Sequence, residues 1–104
     1  MQMNNARFVV IFTSKLNPNA QEYSQWGAQM EALVIHQEGY VSHRSFRNEN
    51  GQGVTLSYWE SLDAVRAWQK HPLHLKAQAY GKKEAYLDYT LEVCEIKRTY
   101  SFVR

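Results

Sequence analysis

At 104 residues, with 13% aromatic side chains and a formal net charge of +2, the chain has the length of a single domain spanning residues 1–104, able to bury about two thirds of the surface its unfolded form exposes. So small a charge, with basic residues adjacent only at Lys82-Lys83 and Lys97-Arg98, argues against nucleic acid or a membrane as partner. Cys94 is the only cysteine, which excludes an intrachain disulfide and makes a reducing cytoplasm the expected location.

From the N-terminus, residues 7–13 (RFVVIFT) are β-branched and aromatic without alternation, which predicts a strand covered on both faces. The apolar run 8–12 is too short for a signal-peptide core or a membrane span. Asn17-Pro18 predicts a helix start, with Asn as cap and Pro in the first turn, for a helix over residues 20–36. Its inward stripe is Tyr23, Trp26, Gln29 or Met30, Leu33 and Val34, and Gly39 closes it. Residues 39–47 and 54–60 read as strands joined by the turn Asn48-Glu49-Asn50-Gly51-Gln52-Gly53, hence a hairpin.

Ser61 is the next N-cap, with Asp63 in the first turn and Leu62, Val65 and Trp68 turned inward. Pro72 breaks this helix, because it lacks an N–H and pushes His71 away from helical angles. On the segment that follows, Leu73, Ala77 and Tyr80 share one side, His74 and Gln78 share another, and Gly81 is the expected stop. The last strand is expected over residues 86–100, with Leu87, Tyr89, Leu91 and Val93 alternating against Asp88, Thr90, Glu92 and Cys94, and a bulge near Cys94 or Glu95 where the parity shifts.

The order β-α-β-β-α-β is that of an α+β ferredoxin-like sandwich, an antiparallel sheet with both helices on one face. Since neither side of the first strand looks solvated, a second copy is expected on the open face, giving a homodimer whose sheets close into a dimeric α/β barrel.

Around the kink at Pro72, Trp68, His71, His74 and Gln78 converge, and a kink between two helices leaves space for side chains or a ligand. Each has a plain structural role beside the functional one. Trp59 and Trp68 suit the core of a small domain, His71 can satisfy a helix end, and His36 and His43 read as surface residues. No metal is expected, because the pair His71 and His74 has no acidic or thiol partner at ligand spacing. Cys94 reads as a buried small hydrophobe rather than a nucleophile. Gly51-Gln52-Gly53 joins two strands and does not open a helix, so it is no nucleotide loop.

The sequence resembles the antibiotic biosynthesis monooxygenase domain family of dimeric α/β barrels. The residues that carry the resemblance are Tyr58-Trp59-Glu60-Ser61, Ala64, Trp68, His71, His74, Ala77-Gln78, Gly81 and the aromatic last strand through Tyr86, Tyr89 and Tyr100. The resemblance implies the fold and the dimer, and it leaves several chemistries open. Haem degradation in this family uses a helix histidine as iron ligand, with a tryptophan upstream and an asparagine on the first strand. Trp68 matches, but Gln78 stands at the histidine position and residues 7–13 hold no asparagine, and an amide is a poor iron ligand.

The cofactor-free branch asks only for a water-poor cavity, a proton acceptor and donors that hold an anion, since a deprotonated phenol itself reduces oxygen. The resemblance therefore implies a cofactor-independent monooxygenase for a small aromatic, phenolic or hydroquinone-like substrate, needing no cofactor. His74 or His71 would accept the proton, and Trp68, Gln78, Tyr58 and Tyr89 would orient the substrate. The alternative is a non-catalytic small-molecule binder or structural dimer, which needs the same aromatic lining. RNA binding is disfavoured, because the third strand, VTLSYWE, lacks the basic-glycine-aromatic signature.

Overall fold

The computed structural model describes residues 5–104. Its elements are β1 (Phe8–Leu16), α1 (Tyr23–Val34), β2 (Tyr40–Arg47), β3 (Gln52–Trp59), α2 (Leu62–Gln69), α3 (Pro72–Tyr80) and β4 (Tyr86–Glu95), with a π-helical turn, Gly81–Ala85, between α3 and β4. The strands form one antiparallel sheet in the order β2-β3-β1-β4, as the ferredoxin-like reading requires.

Register separates the two faces, because residues directly opposite one another point the same way. Phe8 opposes Trp59, Val10 opposes Ser57, Phe12 opposes Thr55 and Ser14 opposes Gly53. This is the face the helices cover: Trp59 is fully buried with Val34 of α1 and Val65 of α2, and Phe8, Val10, Tyr40, Ala64 and Trp68 pack around them. Truncating a buried tryptophan costs roughly 3–5 kcal/mol, so Trp59 anchors both helices to the sheet. Val9, Ile11, Val54, Leu56 and Tyr58 lie on the opposite face, where Phe46 is exposed.

The expected inward stripe of α1 holds at Tyr23, Trp26, Met30, Leu33 and Val34, with Gln29 turned outward. The start of the helix does not. Asn17 Oδ1 accepts from the Asn19 amide at 3.1 Å and its Nδ2 donates to the Glu84 carbonyl at 3.0 Å. Asn17-Pro18 is thus a turn that ties the end of β1 to the start of β4, and α1 begins only after Glu22. Gly39 likewise does not terminate α1, which ends at Val34. It enters β2 at φ 81° and lies so close to α2 that a Cβ would sit 2.5 Å from Ala64 Cβ. A left-handed φ and this contact both require glycine.

α3 does end at Tyr80 with Gly81 as its C-cap, but not through a left-handed glycine. The Gly81 backbone stays right-handed at φ −57°, the chain continues into the π-helical turn, and a Cβ would press on the Tyr86 ring at 3.2 Å. β4 ends at Glu95 rather than continuing to Tyr100, for a simple reason: β1 begins at Phe8, so past the bond from the Ile96 amide to the Arg7 carbonyl at 2.8 Å there is, among the described residues, no neighbouring strand to pair with. Beyond it the chain has no regular secondary structure, and Tyr100 is 86% and Phe102 79% exposed. The register shift lies at the opposite end from Cys94, between the pairs Lys15–Asp88 and Leu16–Tyr86, making Leu87 the extra residue. His43 is half-buried, with its Nδ1 2.7 Å from the Tyr40 hydroxyl, and Cys94 is only partly covered.

Candidate functional site

α2 and α3 are separated by the break that Pro72 imposes. α2 opens as the sequence predicts, with Ser61 Oγ accepting from the Ala64 amide at 3.0 Å and Asp63 in its first turn. Its end leaves carbonyls without partners inside the helix. The Trp68 carbonyl receives two donors, the His71 amide at 3.1 Å and His74 Nδ1 at 2.9 Å. The Gln69 carbonyl accepts from Gln78 Nε2 at 3.1 Å. His71 then begins α3 as its N-cap, its Nδ1 accepting from the Leu73 amide at 3.1 Å. Three of the sequence-nominated residues therefore close the backbone bonds that one proline opens.

These bonds fix the two imidazoles in different states. A carbonyl only accepts, so His74 Nδ1 carries a proton and, in the neutral ring, Nε2 keeps its lone pair. The Gln78 amide lies 3.4 Å from that same Nδ1, where it meets an N–H and makes a contact, its bond being the one to Gln69. His71 is the reverse: Nδ1 accepts, so the neutral ring has its proton on Nε2. The His74 ring lies flat on Trp68, centroids 4.3 Å apart and planes at 14°, with His71 at 5.7 Å from the same indole. Burial lowers the His74 pKa from 6.5; the Trp68 carbonyl opposes the shift, and His71 adds to it.

The structure thus brings Trp68, His71, His74 and Gln78 together, and it does not bring Tyr58 or Tyr89 to them. Tyr58 lies on the other side of the sheet from its neighbour Trp59, its hydroxyl accepting from Arg44 Nη2 at 3.1 Å. Tyr89 opposes Ser14 on the helix-covered face, with its ring 5.2 Å from Phe12. Ser14 and Trp59 stand at opposite ends of that face, since Ser14 pairs with Gly53, six residues from Trp59 along β3, or about 20 Å at the strand rise. A cleft of about 410 Å³ opens between the end of β1 and the start of α1, lined by Leu16, Asn17, Pro18, Ala20, Glu22, Tyr23, Ser24 and Gln25, and contains none of the nominated residues.

One polar cluster went unnoticed in the sequence. Arg47 of β2 is opposed by Gly53, and a Cβ there would lie 2.7 Å from the guanidinium carbon, so the missing side chain lets Arg47 cross β3. Nη2 reaches Ser14 Oγ at 2.9 Å and the Tyr23 hydroxyl at 3.3 Å, and Nη1 reaches the Gly51 carbonyl at 2.7 Å and the Ser14 carbonyl at 3.5 Å. The guanidinium also lies over the rings of Tyr23 and Tyr86, at 5.6 and 5.9 Å. Burial, then the neighbouring Tyr23, push the Tyr86 hydroxyl well above the ordinary phenol range, with Arg47 pulling the other way. An arginine six residues before a glycine, across a tight hairpin, was the available signal.

Comparison with known proteins follows from this geometry. Residues 7–80 match the model of the antibiotic biosynthesis monooxygenase family. The uncharacterised protein YqjZ of Bacillus subtilis is 33% identical over 91 residues, 88% of this chain and 80% of that protein. Among solved structures, a mutant of SnoaB, a cofactor-independent oxygenase from Streptomyces nogalater, superposes with a TM-score of 0.77 at 17% identity, covering 90% of this chain and 96% of that one. A conserved protein from Methanosarcina mazei gives 0.78 at 9% identity, over 88% and 94%. At such identities the structural likeness establishes the fold.

The capping role of His71 has a measurable consequence. His71→Ala is expected to lower stability by about 1 kcal/mol, or roughly 4–8 °C in the thermal midpoint. His71→Asn, which restores a cap acceptor, should recover most of it; equal midpoints for the alanine variant and the parent would remove His71 from the capping role.

Proposed function

The chain belongs to the antibiotic biosynthesis monooxygenase family, and from that premise we propose that it is a cofactor-independent monooxygenase for a small phenolic or hydroquinone-like substrate, with His74 as the proton acceptor. The observation that carries this reading is the state of the His74 ring: its Nδ1 proton is committed to the Trp68 carbonyl, and burial keeps the ring neutral, so Nε2 is a base at neutral pH. His71 has its Nδ1 occupied by the Leu73 amide, so it acts as a donor through Nε2–H and not as the base. Trp68 supplies the face on which a substrate ring stacks. Gln78 is held by its amide nitrogen on Gln69, which leaves its oxygen to orient a substrate hydroxyl.

The chemistry balances without a cofactor. Proton transfer to His74 Nε2 gives a phenolate, which passes one electron to dioxygen; the resulting radical pair joins through a new C–O bond. Loss of water then leaves one oxygen atom on the ring as a carbonyl, the substrate having supplied both protons and all four electrons. The protein's share is to hold the anion, exclude water and take the first proton. Tyr58 and Tyr89, the other proposed substrate contacts, lie outside the Trp68 cluster, so they enter only through a partner subunit or a larger substrate.

A homodimer forms part of the same proposal. Val9, Ile11, Val54 and Leu56 form an apolar sheet face without a covering helix, beside exposed Phe46, and a second copy laid on that face closes the barrel. Tyr58 would then face the interface. A non-catalytic binder or structural dimer is favoured by a different observation, that His71, His74 and Gln78 each have a backbone partner that the kink alone explains.

Activity separates the two. His74→Asn keeps a donor for the Trp68 carbonyl and removes Nε2; turnover of an activated hydroquinone or anthrone should fall at least about a hundredfold with the thermal midpoint little changed. For the parent enzyme, kcat/KM should rise with pH and reach half its plateau below pH 6.5, because the base has a lowered pKa and must be neutral. Undiminished turnover in the variant would assign the ring to structure. Light scattering at micromolar concentration should give twice the mass of one chain, and a monomer would exclude the barrel.

A further inference from the structure

Among the described residues, Arg47 has no carboxylate within ion-pair distance. The ion pairs among the described residues are His43–Glu31 and Lys97–Glu95, and every group Arg47 touches is neutral: two carbonyls, the buried Ser14 hydroxyl and the Tyr23 phenol. The guanidinium is partly withdrawn from water and its protein partners are all neutral oxygens and ring faces, so its charge is left available to an anion. Register shows that the helix-covered face holds no other arginine or lysine: its positions are Tyr40, His43, Ser45 and Arg47 on β2, Trp59, Ser57, Thr55 and Gly53 on β3, Phe8, Val10, Phe12 and Ser14 on β1, and Glu95, Val93, Leu91 and Tyr89 on β4. One cation stands at one end of that face.

Beside it the same face is uncovered. Tyr89 and Leu91, opposite Ser14 and Phe12, are 38% and 43% exposed although they point to the helix side, because β4 is the edge strand and the helices stop short of it. Phe12, Tyr86 and Tyr89 form a mutually packed aromatic group, Phe12 lying 5.2 Å from each tyrosine. A half-open apolar shelf of mutually tilted rings therefore runs up to the guanidinium, with Tyr86, held protonated, as a neutral neighbour.

We infer that this shelf and Arg47 form a binding site for a small aromatic oxyanion, a carboxylate or phenolate, its ring on Phe12, Tyr89 and Leu91 and its charged oxygen on the guanidinium that Gly53 admits. Binding exchanges the Tyr23 hydroxyl, the long bond at 3.3 Å, for a charged acceptor, and charge-assisted bonds to arginine are the stronger kind. The nearby cleft is a poorer place for an anion, because the Glu22 carboxylate is on its wall. The site lies at the opposite end of the sheet face from Trp59, against which Trp68 packs, and it stands or falls without any turnover.

The probes are 2-naphthoate and its neutral isostere 2-naphthamide, titrated calorimetrically into the full chain. Naphthoate should bind about tenfold tighter than the amide. Arg47→Gln should erase that preference, and Gly53→Ala, which fills the space the guanidinium crosses, should weaken it. Tyr23→Phe keeps the arginine and frees one of its N–H groups, so it should tighten naphthoate severalfold; this variant also decides the matter if loss of Arg47 prevents folding. Equal affinity for the two probes, retained preference in Arg47→Gln, or an unchanged or weaker Tyr23→Phe complex would each show that Arg47 only ties the hairpin to β1 and α1.

Discussion

Pro72 has no backbone N–H and holds the residue before it outside helical angles, and the junction of α2 and α3 is arranged around that deficit. Carbonyls at the end of one helix have to be satisfied in a part-buried setting, at a cost of up to about 1–3 kcal/mol for each left unpaired, and an amide at the start of the next gains a cap. His74, Gln78 and His71 meet those demands. The same bonds set which nitrogen of each imidazole carries the proton, so the structural need of the break and the chemical state of the candidate base have one origin. Trp68 completes the unit by stacking His74 on one side and lying 6.5 Å from Trp59, the buried anchor of the sheet, on the other.

Elsewhere the fold depends on side chains that are absent. Gly39 lets α2 approach the start of β2, Gly53 lets Arg47 cross a strand, and Gly81 makes room for the Tyr86 ring. These close approaches hold the two ends of the helix-covered face in different states. One end is part-buried, aromatic and imidazole-bearing; the other is aromatic, half-open and cationic.

Much of this was legible in the residues. Alternation and β-branching revealed the strands, Ser61 and Pro72 bounded α2, and the spacing of Trp68, His71, His74 and Gln78 was enough to place them in one cluster. What was missed depended on neighbours distant in sequence. Asn17-Pro18 looks like a helix start, yet its side chain is taken by Glu84. Alternation carries the last strand to Tyr100, but a strand ends where its partner does, and among the described residues β1 begins at Phe8. Tyr58 and Tyr89 have the aromatic chemistry to orient a substrate ring, but strand parity puts the first on the opposite face and register puts the second at the far end. Arg47 escaped notice because its significance lies in the glycine across the hairpin.

The central claim is that the break at Pro72 holds His74 as a neutral ring with its proton on Nδ1 and a lone pair on Nε2. Nitrogen-15 spectroscopy of the imidazole rings at neutral pH tests it most directly, because protonated and unprotonated ring nitrogens resonate far apart. The expected result is a His74 signal pair with Nδ1 protonated and Nε2 bare, persisting below pH 6.5, and a His71 pair of the opposite tautomer. A His74 ring protonated on Nε2, or an imidazolium at neutral pH, would contradict both the account of the kink and the assignment of the base.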